Sequence, residues 1–269
     1  MARVAVLQMV SSANVKENLS CLDAFFLKAR EECAKLIVVP ENFAFMGMKE
    51  TDKLMIAEHD GHCEIQDTVS KLAKRYGLWV IAGSIPLKHT SERVTASCMV
   101  YDDKGVFVAR YDKIHLFDAR VSEKESHQES FSINRGEELV VVDTPVGRVG
   151  LTICYDLRFP ELYHQLMLKG AELFTVPSAF TAVTGDAHWE VLLRARAIEN
   201  LCYILASNQG GVHTNKRSTH GHSMIIEPWG TIIGTHQTGS GLVIADIDLA
   251  HLRKLRQQFP CNDHHVLNH

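Results

Sequence analysis

Cys154 closes the apolar run Val149-Gly150-Leu151-Thr152-Ile153 and is followed at once by Tyr155-Asp156-Leu157-Arg158-Phe159-Pro160-Glu161. The run reads as a strand giving way to a helix, so the thiol sits at a strand's carboxyl end near a helix start, where a thiolate is stabilised and exposed to attack chemistry. Two further segments share this design. Leu36-Ile37-Val38-Val39-Pro40 delivers Glu41, and the stretch from Val106 to Asp112 delivers Lys113. A thiol, a carboxylate and an ammonium group suffice for acyl transfer without histidine: the carboxylate takes the thiol proton, and the cation stabilises first the thiolate and then the oxyanion. Amide hydrolysis is the simplest reading of the set. Taken singly, a strand-end acid, a hairpin lysine and a buried cysteine are ordinary structural residues; the three together carry the chemistry.

The activation argument has a magnitude. A free cysteine has a pKa of roughly 8.5 and is mostly protonated at neutral pH. An ammonium at about 4 Å, with an effective dielectric near 20, interacts with a thiolate by roughly 4 kcal/mol. That lowers the thiol pKa by about three, less whatever desolvation takes back. The sequence therefore leads us to expect a thiol activated by Lys113.

Several elements must position these groups. Met1 to Val10 reads as a first core strand. Asn14 then caps a helix with Val15, Leu19, Leu22, Phe25, Phe26 and Ala29 on one face, and Glu17 stands where a capping box needs an acid. A strand at Leu36 to Pro40, a helix from Ile65 to Tyr76 stopped by Gly77, and a strand from Leu78 to Ile85 follow. Asp102-Asp103-Lys104-Gly105 and Thr144-Pro145-Val146-Gly147 each separate two apolar runs and predict hairpins. Alternation then returns, with helices near Pro160 to Leu168, Ala187 to Asn200 and Leu249 to Gln258. Strands are expected at 172–177, 202–206, 223–227, 231–234 and 242–247. Periodicity alone supports a mixed α/β fold with helices covering the sheet.

At 269 residues and 46% hydrophobic content the chain can bury one large core, and no repeat or linker divides it, so a single domain over 1–269 is expected. The net charge of -4 is spread along the chain, which offers no footprint for nucleic acid or an anionic membrane and favours a small-molecule substrate. The seven cysteines are scattered without a Cys-x-x-Cys pair, and the first ten residues are too short for a membrane span and lack a cleavage site; both point to the cytoplasm. Cys21, Cys33, Cys63, Cys98, Cys202 and Cys261 are expected to be small core residues, and Trp189 and Trp229 core aromatics. The fifteen histidines match no zinc spacing; His213, His220, His222, His264 and His265 read as solvated loop residues, and no metal is expected. Arg194, Arg196 and Glu199, at helical spacing, should pair with one another or with neighbours.

Pro40-Glu41-Asn42-Phe43, the segment Tyr111 to Asp118, and Cys154 to Glu161 resemble the three catalytic motifs of the nitrilase superfamily of carbon-nitrogen hydrolases. Ser178 to Thr181, Thr184 to Glu190, Leu193 to Asn200, Gly221 to Met224 and Pro228-Trp229-Gly230 resemble its Nit branch. The likeness covers about Val4 to Phe259; the tail from Cys261 to His269 is unlike it. The resemblance implies an α/β four-layer α-β-β-α sandwich, homodimers paired across helices flanking the site, and chemistry without a metal or organic cofactor. By motif, Glu41 is the general base, Lys113 the cation, Cys154 the nucleophile, and Glu129 the second glutamate that positions the lysine. The oxyanion is expected between Lys113 and the backbone N–H of Tyr155. Arg158 is a candidate for a substrate carboxylate, with a structural brace to Glu161 as the equal alternative.

The substrate implied is a small carboxylate-bearing linear amide, deaminated glutathione first. A shorter pocket would instead suit an ω-amidase acting on 2-oxoglutaramate; a nitrile is more distant. A catalytically silent binding protein of the same fold is the alternative from another class, since fold does not guarantee activity.

Overall fold

The computed structural model describes residues 1–123 and 125–266. Its centre is two sheets laid face to face. The first runs in the order Gly241–Ile247, Ala2–Gln8, Leu36–Val39, Trp79–Lys88, Val94–Tyr101, Phe107–Asp112, with the short Ile133–Asn134 beside Val94. The second runs Ile232–His236, Ser223–Ile226, Tyr203–Ala206, Leu173–Thr175, Gly147–Leu151, Val141–Thr144. Each sheet has three neighbouring parallel strands flanked by antiparallel ones.

Side-chain alternation explains the layering. Val4, Val6, Leu36, Val38, Ile81 and Val100 point into the core between the sheets. Ala5, Leu7, Ile37, Val39, Val80 and Met99 point the other way, against the helices α1 (Val15–Glu31) and α2 (Glu64–Tyr76). These strands are apolar on both faces because both faces are covered. Each fully buried Val, Leu or Ile among them contributes about 1.5–3 kcal/mol. On the far side, α3 (Pro160–Leu168) and α4 (Ala182–Asn200) lay Leu162, Tyr163, Leu166, Trp189, Leu193 and Ala197 onto the second sheet. Together with α5 (Leu249–Gln258), these elements form the four-layer α-β-β-α sandwich expected from the sequence.

Some local expectations need correction. Asn14 does cap α1, accepting from the N–H groups of Lys16 (3.1 Å) and Glu17 (3.3 Å). The reciprocal half of the box is relayed, however: the Asn14 N–H donates to Ser12 Oγ, which in turn donates to Glu17. Helix α4 begins at Ala182 with Thr181 as its cap, five residues before the expected Ala187. Cys98 and Cys202 are buried as expected, but Cys21, Cys63 and Cys261 are half-buried and Cys33, in the turn after α1, is exposed. Trp189 is core, whereas Trp229 is 56% exposed at the tip of its turn, edge-on to Phe259. His213 is buried, bonded to Ser11 O and Thr219 Oγ1, so it is not a solvated loop residue. Arg196 pairs with Glu199 at 2.8 Å and Arg194 with Glu190 at 3.5 Å. Of the unlike tail, Cys261–His264 forms one turn, and residues 267–269 lie outside the described residues. Among the described residues no helix is long and apolar enough to cross a membrane, and no group of three or more His, Cys, Asp or Glu could hold a metal ion.

Candidate active site

Sheet direction brings the reactive side chains to one edge. Leu36–Val39 ends just before Glu41. Phe107–Asp112 is separated from the parallel set by the single antiparallel strand Val94–Tyr101, so two reversals restore its direction and Lys113 emerges at the same edge. On the facing sheet, Gly147–Leu151 runs on through Thr152 and Ile153 to Cys154, the first residue of a tight turn spanning Cys154–Arg158. The strand ends three residues earlier than the apolar run suggests. Ligand sites in parallel sheets gather at strand carboxyl ends, because there the loops diverge and leave a crevice.

The loop carrying Glu41 is held from both sides. Gln209 Nε2 donates to Glu41 O at 3.0 Å, and the Asn42 N–H donates to Ser84 Oγ at 3.0 Å. Gly83, at φ +37, sits in a register irregularity between Ala82 and Ile85, and a Cβ there would press into the Pro40 carbonyl. Only glycine allows this close approach. Asn42 and Cys154 both have left-handed backbones, φ 57 and 49. Strained non-glycine residues of this kind concentrate at functional sites, where surrounding contacts must enforce them. The Cys154 N–H donates to Pro177 O at 2.9 Å, tying the turn to the next strand.

Lys113 is 1% exposed and lies between two carboxylates: its Nζ is 2.8 Å from Glu41 Oε1 and 3.0 and 2.9 Å from the two oxygens of Glu129. Glu129 also accepts the Phe117 N–H at 2.7 Å. Glu41, Lys113, Glu129 and Cys154 line one recess of about 20 Å³, room for about one water. Burial alone would lower the Lys113 pKa, but Glu129 and Glu41 outweigh it and hold the group well above its usual value. Burial likewise favours a neutral Glu129, and Lys113 overrides it to keep the carboxylate charged.

The thiol departs from expectation. Burial and the charge of Glu41 raise the Cys154 pKa, and the opposing pull of Lys113 and a hydrogen bond with the Ala179 backbone does not compensate. The leading cause is desolvation, which disfavours the charged thiolate in a buried site, and the Glu41 carboxylate adds to it. The balance favours the thiol in the free protein, with Lys113 pulling the other way without prevailing.

Asp156, two residues past Cys154, is a feature that spacing alone did not flag. Fully buried, it accepts from Tyr111 Oη (2.6 Å) and the Ile153 N–H (2.8 Å) through one oxygen. Its other oxygen accepts the His115 N–H (3.0 Å) and lies 2.7 Å from His115 Nδ1. One carboxylate thus bolts the Lys113 loop to the Cys154 turn. Arg196 fixes the same turn from α4 by donating to Leu157 O through Nε (3.1 Å) and Nη2 (2.8 Å). The signal available was an aspartate inside the cysteine motif itself.

Tyr155 follows Cys154 in the turn, its ring packed on Phe117 and Phe159. Arg158 makes no ion pair among the described residues; the brace to Glu161 does not form. Its guanidinium lies over the Tyr155 and Phe180 rings at 5.7 and 5.4 Å and touches His188 Nδ1 at 3.2 Å. It lines a narrow crevice that it shares with Cys154.

A wider cavity of about 620 Å³ adjoins the recess and shares Asn42, Glu50, Lys53, His127 and Arg217 with it. Three separate loops build this wall: the turn Glu50–Leu54, the small hairpin Asp118–Arg120 with Ser126–Gln128, and the loop carrying Asn215 to Ser218. His127 links Glu50 (3.5 Å) and Glu125 (3.0 Å). Its bond to Glu50, together with Glu125, raises its pKa against the effect of burial, and the same bond leads the forces that hold Glu50 far below the usual carboxylate range.

Comparison with known proteins identifies the family. The family described as carbon-nitrogen hydrolase matches residues 3–257. A deaminated glutathione amidase of Yersinia enterocolitica is 41% identical over 266 residues, covering 98% of this chain and 92% of that protein. The Homo sapiens protein of the same name is 39% identical, covering 97% and 81%. The crystal structure of the Caenorhabditis elegans NitFhit protein superposes with a TM-score of 0.91 at 36% identity, covering 99% of this chain and 66% of that one.

Proposed function

The chain belongs to the carbon-nitrogen hydrolase family as an amidase, and we propose that it cleaves deaminated glutathione through a thioester on Cys154. The observation that carries the mechanism is the recess in which Cys154 shares one small space with Glu41, Lys113 and Glu129. Because the thiol is protonated at rest, its proton moves to Glu41 as the sulfur attacks the amide carbon. Negative charge then passes from the Glu41 carboxylate, through sulfur, to the carbonyl oxygen. Lys113 and the Tyr155 N–H receive it there. The C–N bond breaks, and the proton held by Glu41 leaves on the amine. A water deprotonated by Glu41 hydrolyses the thioester and restores the thiol. Glu129 keeps Lys113 charged and aimed throughout. Arg158, which makes no ion pair among the described residues, holds the carboxylate of the acyl half.

The relatives' name supports this substrate, and the chemistry applies equally to 2-oxoglutaramate. The test is steady-state turnover of both compounds: a higher kcat/KM for deaminated glutathione supports the reading, and a preference for 2-oxoglutaramate replaces it with an ω-amidase. No turnover of either, with Cys154 labelled by a thiol reagent no faster than Cys33, would leave a silent binding protein. The proposed assembly is a homodimer across α4, which carries the exposed apolar residues Val191 and Ile198; light scattering tests it. The proposed location is the cytoplasm, checked by fractionation.

A further inference from the structure

We infer that Gln209 is a positioning residue for the reaction: by holding the Glu41 loop and the Cys154 turn at once, it sets the reach between the base and the sulfur. The inference rests on the amidase reading above and adds the device that spaces its two reacting groups. Glu41 and Cys154 follow strands of different sheets, so their separation depends on whatever crosses between the sheets at that edge. Gln209, fully buried just past Tyr203–Ala206 of the second sheet, makes that crossing to Ser11, buried just past Ala2–Gln8 of the first.

The Gln209 amide is committed in full. Its Oε1 accepts the Ser11 N–H at 3.0 Å, and its Nε2 donates to Ser11 Oγ at 2.8 Å and to Glu41 O at 3.0 Å. Reversing the amide would set its NH2 against the Ser11 N–H, so only one orientation satisfies the site. Ser11 Oγ in turn donates to Phe43 O at 2.9 Å. The carbonyls before and after Asn42 are thereby gripped, and the left-handed backbone of Asn42, φ 57, persists only while its surroundings enforce it. On the other side, the Gln209 N–H donates to Ser178 O at 2.9 Å, next to Pro177, whose carbonyl takes the Cys154 N–H at 2.9 Å. One residue thus reaches the base loop through its side chain and the nucleophile turn through its backbone. His213 secures the anchor. Its Nδ1 lies 2.9 Å from Ser11 O, which can only accept, so Nδ1 carries the proton and Nε2 accepts the Thr219 hydroxyl at 2.8 Å. Burial lowers the His213 pKa and keeps that neutral form in place. Without Gln209, Asn42 relaxes and carries Glu41 away from the sulfur, and a shift of about 1 Å costs about 10²-fold in rate.

The experiment compares the wild type with Gln209→Met and Ser11→Ala in two ways: amide turnover, and alkylation of Cys154 by iodoacetamide, mapped by mass spectrometry from about pH 7 to 9. Methionine keeps the length of glutamine without its donors. Ser11→Ala leaves the bond from Gln209 to Glu41 and serves as the milder variant if the methionine protein does not fold. Protection of the buried Cys98 and Cys202 from the reagent certifies the fold in each case. In Gln209→Met, kcat should fall by about 10²-fold and KM should change by no more than about twofold. Its alkylation should climb by about tenfold per pH unit, as for a thiol without a base, and more steeply than in the wild type, where Glu41 takes the proton. Ser11→Ala should lower kcat by about tenfold and steepen the same slope. Wild-type kcat and slope in the folded variants overturn the role. A lower kcat with an unchanged slope also overturns it, leaving Gln209 a packing residue. A wild type that turns over no amide removes the amidase reading, and the alkylation slopes alone then decide whether Gln209 positions Glu41.

Discussion

The recess and the cavity beside it share five residues but differ in how their charges are arranged. In the recess every charge is committed: Lys113 touches two carboxylates, and its site is dry enough to keep a thiol protonated. In the cavity, positive charge at Lys49 and Lys216 is left without a protein partner among the described residues. The contrast separates two tasks. Bond-breaking needs groups fixed before the substrate arrives, because reorganisation during the reaction costs rate. Recognition needs charge that the substrate itself completes.

Substitutions can break or sharpen that division. The largest effect is expected from Cys154→Ala: kcat should fall by roughly 10⁴-fold or more, with an unchanged far-UV circular dichroism spectrum. Residual turnover near wild type would end the thioester mechanism. Glu129→Gln should lower kcat by about 10²-fold through a misplaced Lys113 while leaving KM nearly intact. A change confined to KM would move Glu129 from the chemistry to the binding side. Asp156→Asn tests the bolt between the two loops. It should cost about 1.5–3 kcal/mol in urea unfolding, the range for hydrogen bonds to a charged group, and should lower kcat more than KM. An active, fully stable variant would show that Arg196 and the backbone suffice to hold the turn.

The smallest effect belongs to the cavity wall and depends on pH. The folded pKa of His127 is raised from 6.5, so its pairing stabilises fully below 6.5 and is lost as pH rises through the folded value. Glu50 is lowered from 4.5, so its contribution is present above 4.5 and fades as pH falls. The wild type should therefore exceed His127→Gln in stability most clearly between these limits, by about 1 kcal/mol or less, and the gap should narrow toward pH 9. Melting curves across pH measure it; a gap that widens with pH would contradict the pairing.

Glu41, Lys113 and Cys154 were legible in the sequence because acyl-transfer chemistry demands particular residue types near strand ends, Glu129 was legible only through the family resemblance, and all four line one space. The layers were legible where alternation was strong, as in Leu36–Val39, and where caps were explicit, as at Gly77 after α2. The start of α4 was obscured because Thr184 and Gly185 interrupt the helical pattern, although Thr181 caps the helix. The cavity wall left no trace. Glu50, His127 and Arg217 come from three loops, and no periodicity connects residues that meet only after both sheets have formed. The thiol's protonation departs from the expectation for a related reason: a pairwise attraction to Lys113 can be read from two motifs, but the depth of burial that outweighs it exists only once the fold has closed around Cys154.

The pairing of Ala2–Gln8 with Gly241–Ile247 joins residues separated by almost the whole chain, in register from Ala2 opposite Ile247 to Gln8 opposite Gly241. On the ribosome, which makes the chain in order, the opening strand must wait with one edge bare until its late neighbour emerges. A nascent chain halted before residue 241 would carry that bare edge as a sticking point for other strands.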